Sequence, residues 1–275
     1  MLQTAKGQTE PLADTVHVAP PTGERETDRA SILAALEQVE PGGTVQFAAG
    51  TYLIGEIIPV AVSRITLVGH ADGSTLRGCD PEEWAIVQNS RASCNTLELL
   101  GNHQTVRDLT FEHMSLGLAL GPGMRRLAGL TTGDEEALFN SITGGHLIEG
   151  NTFRESSNGI RGDGRWSESI QIRGNRFINT YHAVSLVGSH VHLLDNDISV
   201  PQPERVPSAG HPGLAVQVGG TNEHFPGGPF DCQHNVIAGN RIEGHPQGSL
   251  YFVALGGHCR HNVIRDNTII VPATI

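Results

Sequence analysis

The stretch NGIRGDGRWSES, residues 158–169, holds two arginines, an aspartate and a tryptophan within six positions. Arg161 and Arg165 carry a permanent charge of the kind that clamps or polarises a carboxylate. Asp163 can orient a base, and Trp166 offers a flat apolar face on which a sugar ring can stack. Further on, SVPQPERVPSAGHPG contains His211, and GGTNEHFPGGPFD contains Glu223 and His224. With His182 these add imidazole and carboxyl groups that can take or give a proton near neutral pH. Cations beside a base suit elimination or hydrolysis next to a carboxylate, because the base removes the proton and the cations hold the charge that develops. Arg161, Asp163, His182 and His211 are therefore the catalytic candidates, with Arg165, Trp166, Gln217, Glu223 and His224 as substrate-binding candidates. The bland alternative is that Arg161 and Asp163 form a solvated ion pair, worth little, and that most of the 14 histidines need no function.

A second constellation is written twice. CQHNVIAGNRI, from Cys232, returns as CRHNVIRDNTI, from Cys259, 27 residues later. On an extended strand Cys232 and His234 point to one side, as do Cys259 and His261. Two thiolates and two imidazoles on adjacent strands could hold zinc tetrahedrally. An inert thiol stack or a disulfide fits the same spacing. No cofactor is expected for the candidate chemistry; calcium and zinc are the metals to consider. Cys79 and Cys94 are undecided between the same alternatives.

The repeat says which elements must position these groups. Asn151, Asn175, Asn196, Asn240 and Asn267 each follow Gly or Asp and precede Phe or Ile by two, at intervals of 24, 21, 44 and 27 residues. The segment TVRDLTF keeps the pattern with Leu109 in place of Asn. Irregular repeats of this length, with short β-type apolar stretches, indicate a solenoid whose coils bury a continuous core only when stacked. The interval of 44 reads as about two turns of the smaller period, and the chain from Thr44 onward as about ten coils. The asparagines read as a corner ladder, adopting the left-handed backbone that a sharp bend needs. Composition agrees: 34 glycines, 5% aromatic and 17% charged residues in 275 suit a β architecture rich in tight turns.

A net charge of −11 argues against a nucleic-acid partner or an anionic membrane surface. No apolar run reaches the ~20 residues of a membrane span. The N-terminus shows no charged-then-apolar export signal, so the chain as written reads as cytoplasmic, or as extracellular if a signal was removed.

Residues 1–26 read as an N-terminal extension and 27–275 as one β-helix domain. In TDRASILAALEQVEPGGTVQFAAGTYLIG, Thr27 is the expected helix N-cap, Ile32, Leu33, Leu36 and Val39 share one helical face, and PGG ends the helix. Val45 and Phe47 then alternate as a strand. This segment, its continuation ITLVGHADGSTLRG to residue 78, and the coils of 101–275 resemble the pectate-lyase-like right-handed parallel β-helix superfamily. The resemblance implies an all-β right-handed parallel β-helix with a short N-terminal capping helix. It also implies a substrate cleft on the outer face of one sheet, walled by the loops between sheets. The Asn-Thr-Asp and Gly-His-Gly motifs of polygalacturonases, the full aspartate cluster of calcium-dependent pectate lyases and the Asp-Pro-His motif of alginate epimerases are missing.

Aligning GIRGDG, AVSLVG, LAVQVGG and FVALGG as rungs of one sheet turns Ile160, Val184, Val216 and Val253 inward. Arg161, Ser185, Gln217 and Ala254 then form an outward file. The function expected is that of a carbohydrate-active enzyme, a lyase or hydrolase acting on a uronate-containing polysaccharide or oligosaccharide. An intracellular isomerase or cyclase and a non-catalytic structural or binding β-helix are the alternatives. The partner expected is a carbohydrate or other small molecule, with no nucleic acid and no membrane. The chain stops just after a ladder asparagine, which makes the last coil a candidate oligomeric contact unless its final residues cover it or the chain is cut short.

Overall fold

The computed structural model describes residues 14–79, 96–121, 144–162, 167–199, 214–219, 232–244, 251–256 and 259–271, without the side chains of 214 and 251–256. Three parallel sheets wind about one axis as a right-handed β-helix. Sheet A has nine strands, from Thr15–His17 and Thr44–Gln46 up to Val263–Arg265; sheet B has eight, from Gly50–Leu53 to Thr268–Ile270. Sheet C has seven: Ile57–Val60, Thr96–Leu99, Leu116–Leu120, Asn158–Gly162, His182–Leu186, Leu214–Gly219 and Tyr251–Gly256. A two-stranded ladder of Cys232–Gln233 and Cys259–Arg260 completes the set.

Strands of three to six residues alternate between an inward side chain and an outward one, so equivalent residues of successive coils stack as files. Phe111, Phe153 and Phe177 form such a file, their rings 4.8 Å apart and nearly parallel. Ile148, Ile172, Leu193 and Ile237 form another, none more than 1% exposed. Each fully buried aliphatic or aromatic side chain contributes about 1.5–3 kcal/mol.

One helix, α1 (Arg25–Gln38), closes the N-terminal end with Ile32, Ala35 and Leu36 buried against the core. Thr27 is not its N-cap: the N-cap is Glu24, three residues earlier, and the helix begins at Arg25. Asp28 explains the earlier start. Its carboxylate accepts from the backbone N–H groups of Thr22 (2.6 Å), Gly23 (3.2 Å) and Leu53 (2.9 Å), and so ties the entering chain and the first coil to the helix. Thr15–His17, ahead of the helix, already pairs with Thr44–Gln46 as the first strand of sheet A.

The asparagine ladder is present at the A-to-B corner, and it corrects two expectations. Asn175 Oδ1 accepts both the backbone N–H (2.9 Å) and the side-chain amide (3.1 Å) of Asn151, and the pattern repeats from Asn175 to Asn196, Asn240 and Asn267. Leu109 enters the ladder by its backbone N–H alone, 3.1 Å from Asn151 Oδ1. The left-handed residue, however, is the one before each ladder position: Gly150, Gly174, Asp195, Gly239 and Asp266 before the asparagines and Asp108 before Leu109 have φ between 54° and 68°. The asparagine turns inward, where its amide satisfies buried backbone groups, and leaves the bend to Gly or Asp. Asn196 bonds directly to Asn240, so the interval of 44 is one coil carrying insertions, not two coils. Sheet A accordingly has eight strands from Thr44 onward among the described residues, fewer than the ten expected.

The line written twice builds two corners of this scaffold. Its second asparagine, Asn240 or Asn267, belongs to the A-to-B ladder. Its first, Asn235 or Asn262, makes a shorter ladder at the C-to-A corner, where Val191 N–H donates to Asn235 Oδ1 at 2.8 Å and Asn235 N–H to Asn262 Oδ1 at 2.9 Å.

Candidate functional site

Sheet C carries the rung alignment as expected. Ile160, Val184, Val216 and Val253 are register neighbours, and so are Arg161, Ser185, Gln217 and Ala254. Ile160, Val184 and Val216 are buried, whereas Arg161, Ser185 and Gln217 are partly exposed. Extended downward, the outward file reads Pro59, Glu98, Ala119, Arg161. Alternation is broken in these strands, because Gly117, Gly159 and Ala183 also face the core, the glycines toward Phe153 and Phe177. The residues before them, Leu116, Asn158 and His182, therefore form a second outward file.

Within this face Ser185 Oγ lies 3.4 Å from Gln217 Oε1. Asn158 donates its side-chain amide to the Ser115 carbonyl at 3.2 Å. The His182 ring packs edge-on against Tyr181 at 4.4 Å. His182 and Arg161 thus stand on adjacent rungs of one face, in different files. Gly162, at the end of its strand, has no room for a side chain: a Cβ there would lie 2.2 Å from Ser167 Oγ.

Each break in the described chain between residues 79 and 251 falls at one end of a sheet C strand. Segments 80–95, 200–213 and 245–250 lead into sheet C, and segments 122–143, 163–166 and 220–231 follow it. Asp163, Arg165, Trp166, His211, Glu223 and His224 belong to these segments and lie outside the described residues. Connectivity alone attaches all six to strands of sheet C.

Glu168 was not singled out from the sequence, although it is the penultimate residue of the NGIRGDGRWSES stretch. Its backbone bridges Gly144 of the coil below. One carboxylate oxygen accepts from Ser189 N–H at 3.2 Å and the other lies 3.9 Å from His190 Nδ1. Burial raises its pKa above the usual carboxylate range, and Ser189 and His190 only partly offset this. A carboxyl group that holds its proton longer than its neighbours is suited to general-acid work. Its position on the outward side of the chain just after sheet C was not legible, because the repeat is interrupted there.

The arrangement expected for zinc is not what the corner forms. Cys232 is fully buried, but His234 is exposed, because His234 adopts a left-handed backbone (φ 56°) that breaks the strand alternation. His261 does the same (φ 55°). The imidazoles of His190, His234 and His261 stack outside at 5.3 and 5.2 Å. Cys232 and Cys259 are register partners but are not joined in a disulfide, and neither is Cys79 part of one; Cys94 lies outside the described residues. Among the described residues no group of three or more His, Cys, Asp or Glu is arranged to hold a metal ion.

On the opposite side of the solenoid, shallow grooves of about 390 and 510 Å3 run along the A-to-B corner, past Asp108 and Gly150. They are gaps left by corner glycines. The Arg173 guanidinium is already bound to Glu149 there, at 2.7 and 2.8 Å, and the loop segments attach elsewhere.

No family model and no curated protein sequence matches the chain. Among solved structures it is similar to the catalytic unit of a thermostable GH87 alpha-1,3-glucanase from Streptomyces thermodiastaticus strain HF3-3, at 15% identity and a TM-score of 0.54. That alignment covers 97% of this chain and 42% of the glucanase unit, so the chain spans less than half of its length. The tailspike protein of Acinetobacter baumannii phage AM24 aligns over 93% of this chain and 47% of its own, at 11% identity and a TM-score of 0.46. At these identities the likeness concerns the fold.

Proposed function

We propose that the chain is a carbohydrate-active enzyme, a lyase or hydrolase that works in a groove over the outer face of sheet C. The observation that carries this reading is the polar outward surface of Asn158, Arg161, His182, Ser185 and Gln217 on the sheet where the segments bearing the other candidate groups attach. Hydroxyl-rich ligands need many donors and acceptors on a rigid frame, and stacked rungs provide that frame. Similarity in fold to an alpha-1,3-glucanase catalytic unit supports the carbohydrate class.

Within that class we assign a uronate-containing polymer or oligosaccharide as substrate and a mechanism like that of the pectate-lyase-like superfamily. Arg161, with Arg165, holds the carboxylate; His182 or His211 removes the adjacent proton, oriented by Asp163; and Trp166, Gln217, Glu223 and His224 bind the chain. For elimination, the base takes the proton beside the carboxylate and the glycosidic oxygen leaves with a proton from a general acid. Glu168 is our candidate for that acid. For hydrolysis, the same acid protonates the leaving oxygen while a second group activates water.

The test is a screen of polygalacturonate, alginate, glycosaminoglycans and alpha-1,3-glucan. It reads absorbance of an unsaturated product for lyase action and new reducing ends for hydrolysis. Arg161→Ala is expected to abolish turnover of the substrate found while changing unfolding free energy by less than about 1 kcal/mol. Full activity in that variant removes sheet C as the site. Turnover of the neutral glucan alone removes the uronate assignment.

A further inference from the structure

Cys232 and Cys259 are register partners on the parallel strands Cys232–Gln233 and Cys259–Arg260. Register partners on adjacent parallel strands carry their side chains on the same face, with backbones about 4.8 Å apart. That spacing lies inside the Cα range of about 4.4–6.8 Å that a disulfide spans. Two hydrogen bonds hold the pair in register. His234 N–H donates to the Arg260 carbonyl at 3.2 Å, and the Asn262 side-chain amide donates to the Cys232 carbonyl at 3.1 Å. The Cys259 thiol is turned toward the coil below, 3.8 Å from the carbonyl of Val218. Cys232 is 0% exposed, whereas Cys259 is partly exposed, because it belongs to the last described coil, where Ile264 and Ile269 are open as well. One thiol of the pair is thus within reach of a solute, and the other is shielded behind it.

We propose that Cys232 and Cys259 form a redox-controlled staple, joined as a disulfide when the protein meets a small-molecule disulfide of the glutathione class and separate when thiols are in excess. The Cys259 thiolate attacks one sulfur of the small disulfide, whose S–S bond breaks to release one small thiolate. The Cys232 thiolate then attacks Cys259 Sγ in the mixed disulfide, and the second small thiolate leaves. Each cysteine gives up its proton and one electron, and the small disulfide takes two electrons and becomes two thiols. Strand spacing exceeds the Cβ separation of a disulfide, about 3.5–4.5 Å, by only a little. The last described coil, packed on one side alone among the described residues, can close that gap. The bond closes a loop from residue 232 to residue 259 and tethers this half-open coil to the buried one beneath it. The staple belongs to the solenoid and does not depend on carbohydrate chemistry over sheet C.

Two measurements on the full chain test this. The protein is equilibrated with oxidised glutathione or with dithiothreitol, alkylated in denaturant, and digested without reduction. Oxidation is expected to link the peptides of Cys232 and Cys259 within one chain and to remove both thiols from alkylation, and dithiothreitol to restore them. A glutathione adduct on Cys259 that Cys232 never resolves overturns the bond, as does a Cys259 link between two chains or two unmodified thiols after equilibration. So does a link from either cysteine to Cys79, which lies five rungs away with its thiol on the His113 carbonyl at 3.4 Å. Deuterium exchange of the same two samples reads what the bond does. Amides of Val263–Arg265 and Thr268–Ile270 are expected to exchange at least about tenfold more slowly in the oxidised protein, and Cys259→Ser is expected to abolish the difference. A bond that forms without slowing exchange in these strands overturns its role as a staple.

Discussion

His146 shows how one side chain couples the coil corner to pH. It is 1% exposed, its Nδ1 accepts from the backbone N–H of Gln104 at 3.4 Å, and its Nε2 has no hydrogen-bond partner among the described residues. Burial, with nearby His103, lowers its pKa from 6.5 to about 4. The folded chain therefore binds fewer protons than the unfolded chain between these values. The contribution is fully present above pH 6.5 and is lost as pH falls through about 4. At 1.36 kcal/mol per pKa unit, neutral His146 is worth about 3 kcal/mol that disappears over that window. Urea titrations at pH 7 and pH 4 are expected to show this loss in the wild type, and His146→Gln is expected to reduce it. An identical pH dependence in the variant would place the titration elsewhere. Glu112 responds in the same direction at lower pH. Burial pushes its carboxyl up, but Arg77 (2.7 Å) and Arg154 (2.8 Å) outweigh that and hold its pKa below the ordinary value. Its contribution is present above the ordinary carboxylate pKa and is lost as pH falls through the depressed one.

At the scale of the element, the corner ladder is the part of the fold with the least tolerance. Asn196 Oδ1 accepts the backbone N–H and side-chain amide of Asn175, while its own amide reaches the Ile172 carbonyl at 3.0 Å and Asn240 Oδ1 at 2.9 Å. Asn196→Ala leaves the buried backbone N–H of Asn175 without its acceptor and removes the bonds of the Asn196 amide to the Ile172 and Leu194 carbonyls and to Asn240 Oδ1. Each orphaned buried group costs about 1–3 kcal/mol, so a loss of about 3 kcal/mol or more is expected in denaturant unfolding. Asn196→Asp, which keeps the acceptor but not the donor, is expected to lose less near neutral pH; equal losses would mean that packing and not hydrogen bonding governs the corner.

For the whole molecule, stability is uneven along the axis, because each coil is held by its neighbours. Ile237 and Ile242 are 1% and 0% exposed, whereas their register partners one coil on, Ile264 and Ile269, are 48% and 49% exposed. Amides of Val263–Arg265 and Thr268–Ile270 are expected to exchange with deuterium well before those of Gln171–Arg173 and His192–Leu194. Uniform protection along the axis would show that the last described coil is covered in solution. This coil, with Val263 and Val271 also exposed, remains the surface on which we would look for an oligomeric contact.

The sequence by itself determined the solenoid, the register of sheet C and the ladder. Each rests on contacts between equivalent positions of successive coils, and equivalent positions leave a periodic trace. The recurring Asn and the inward Ile160, Val184 and Val216 are of that kind. What only the tertiary structure decided is whatever breaks the period. A left-handed residue turns His234 away from Cys232, and insertions stretch one coil to 44 residues. Neither follows the period of the repeat. Both depend on how the backbone closes a particular coil, and the residue types that recur from coil to coil do not specify it.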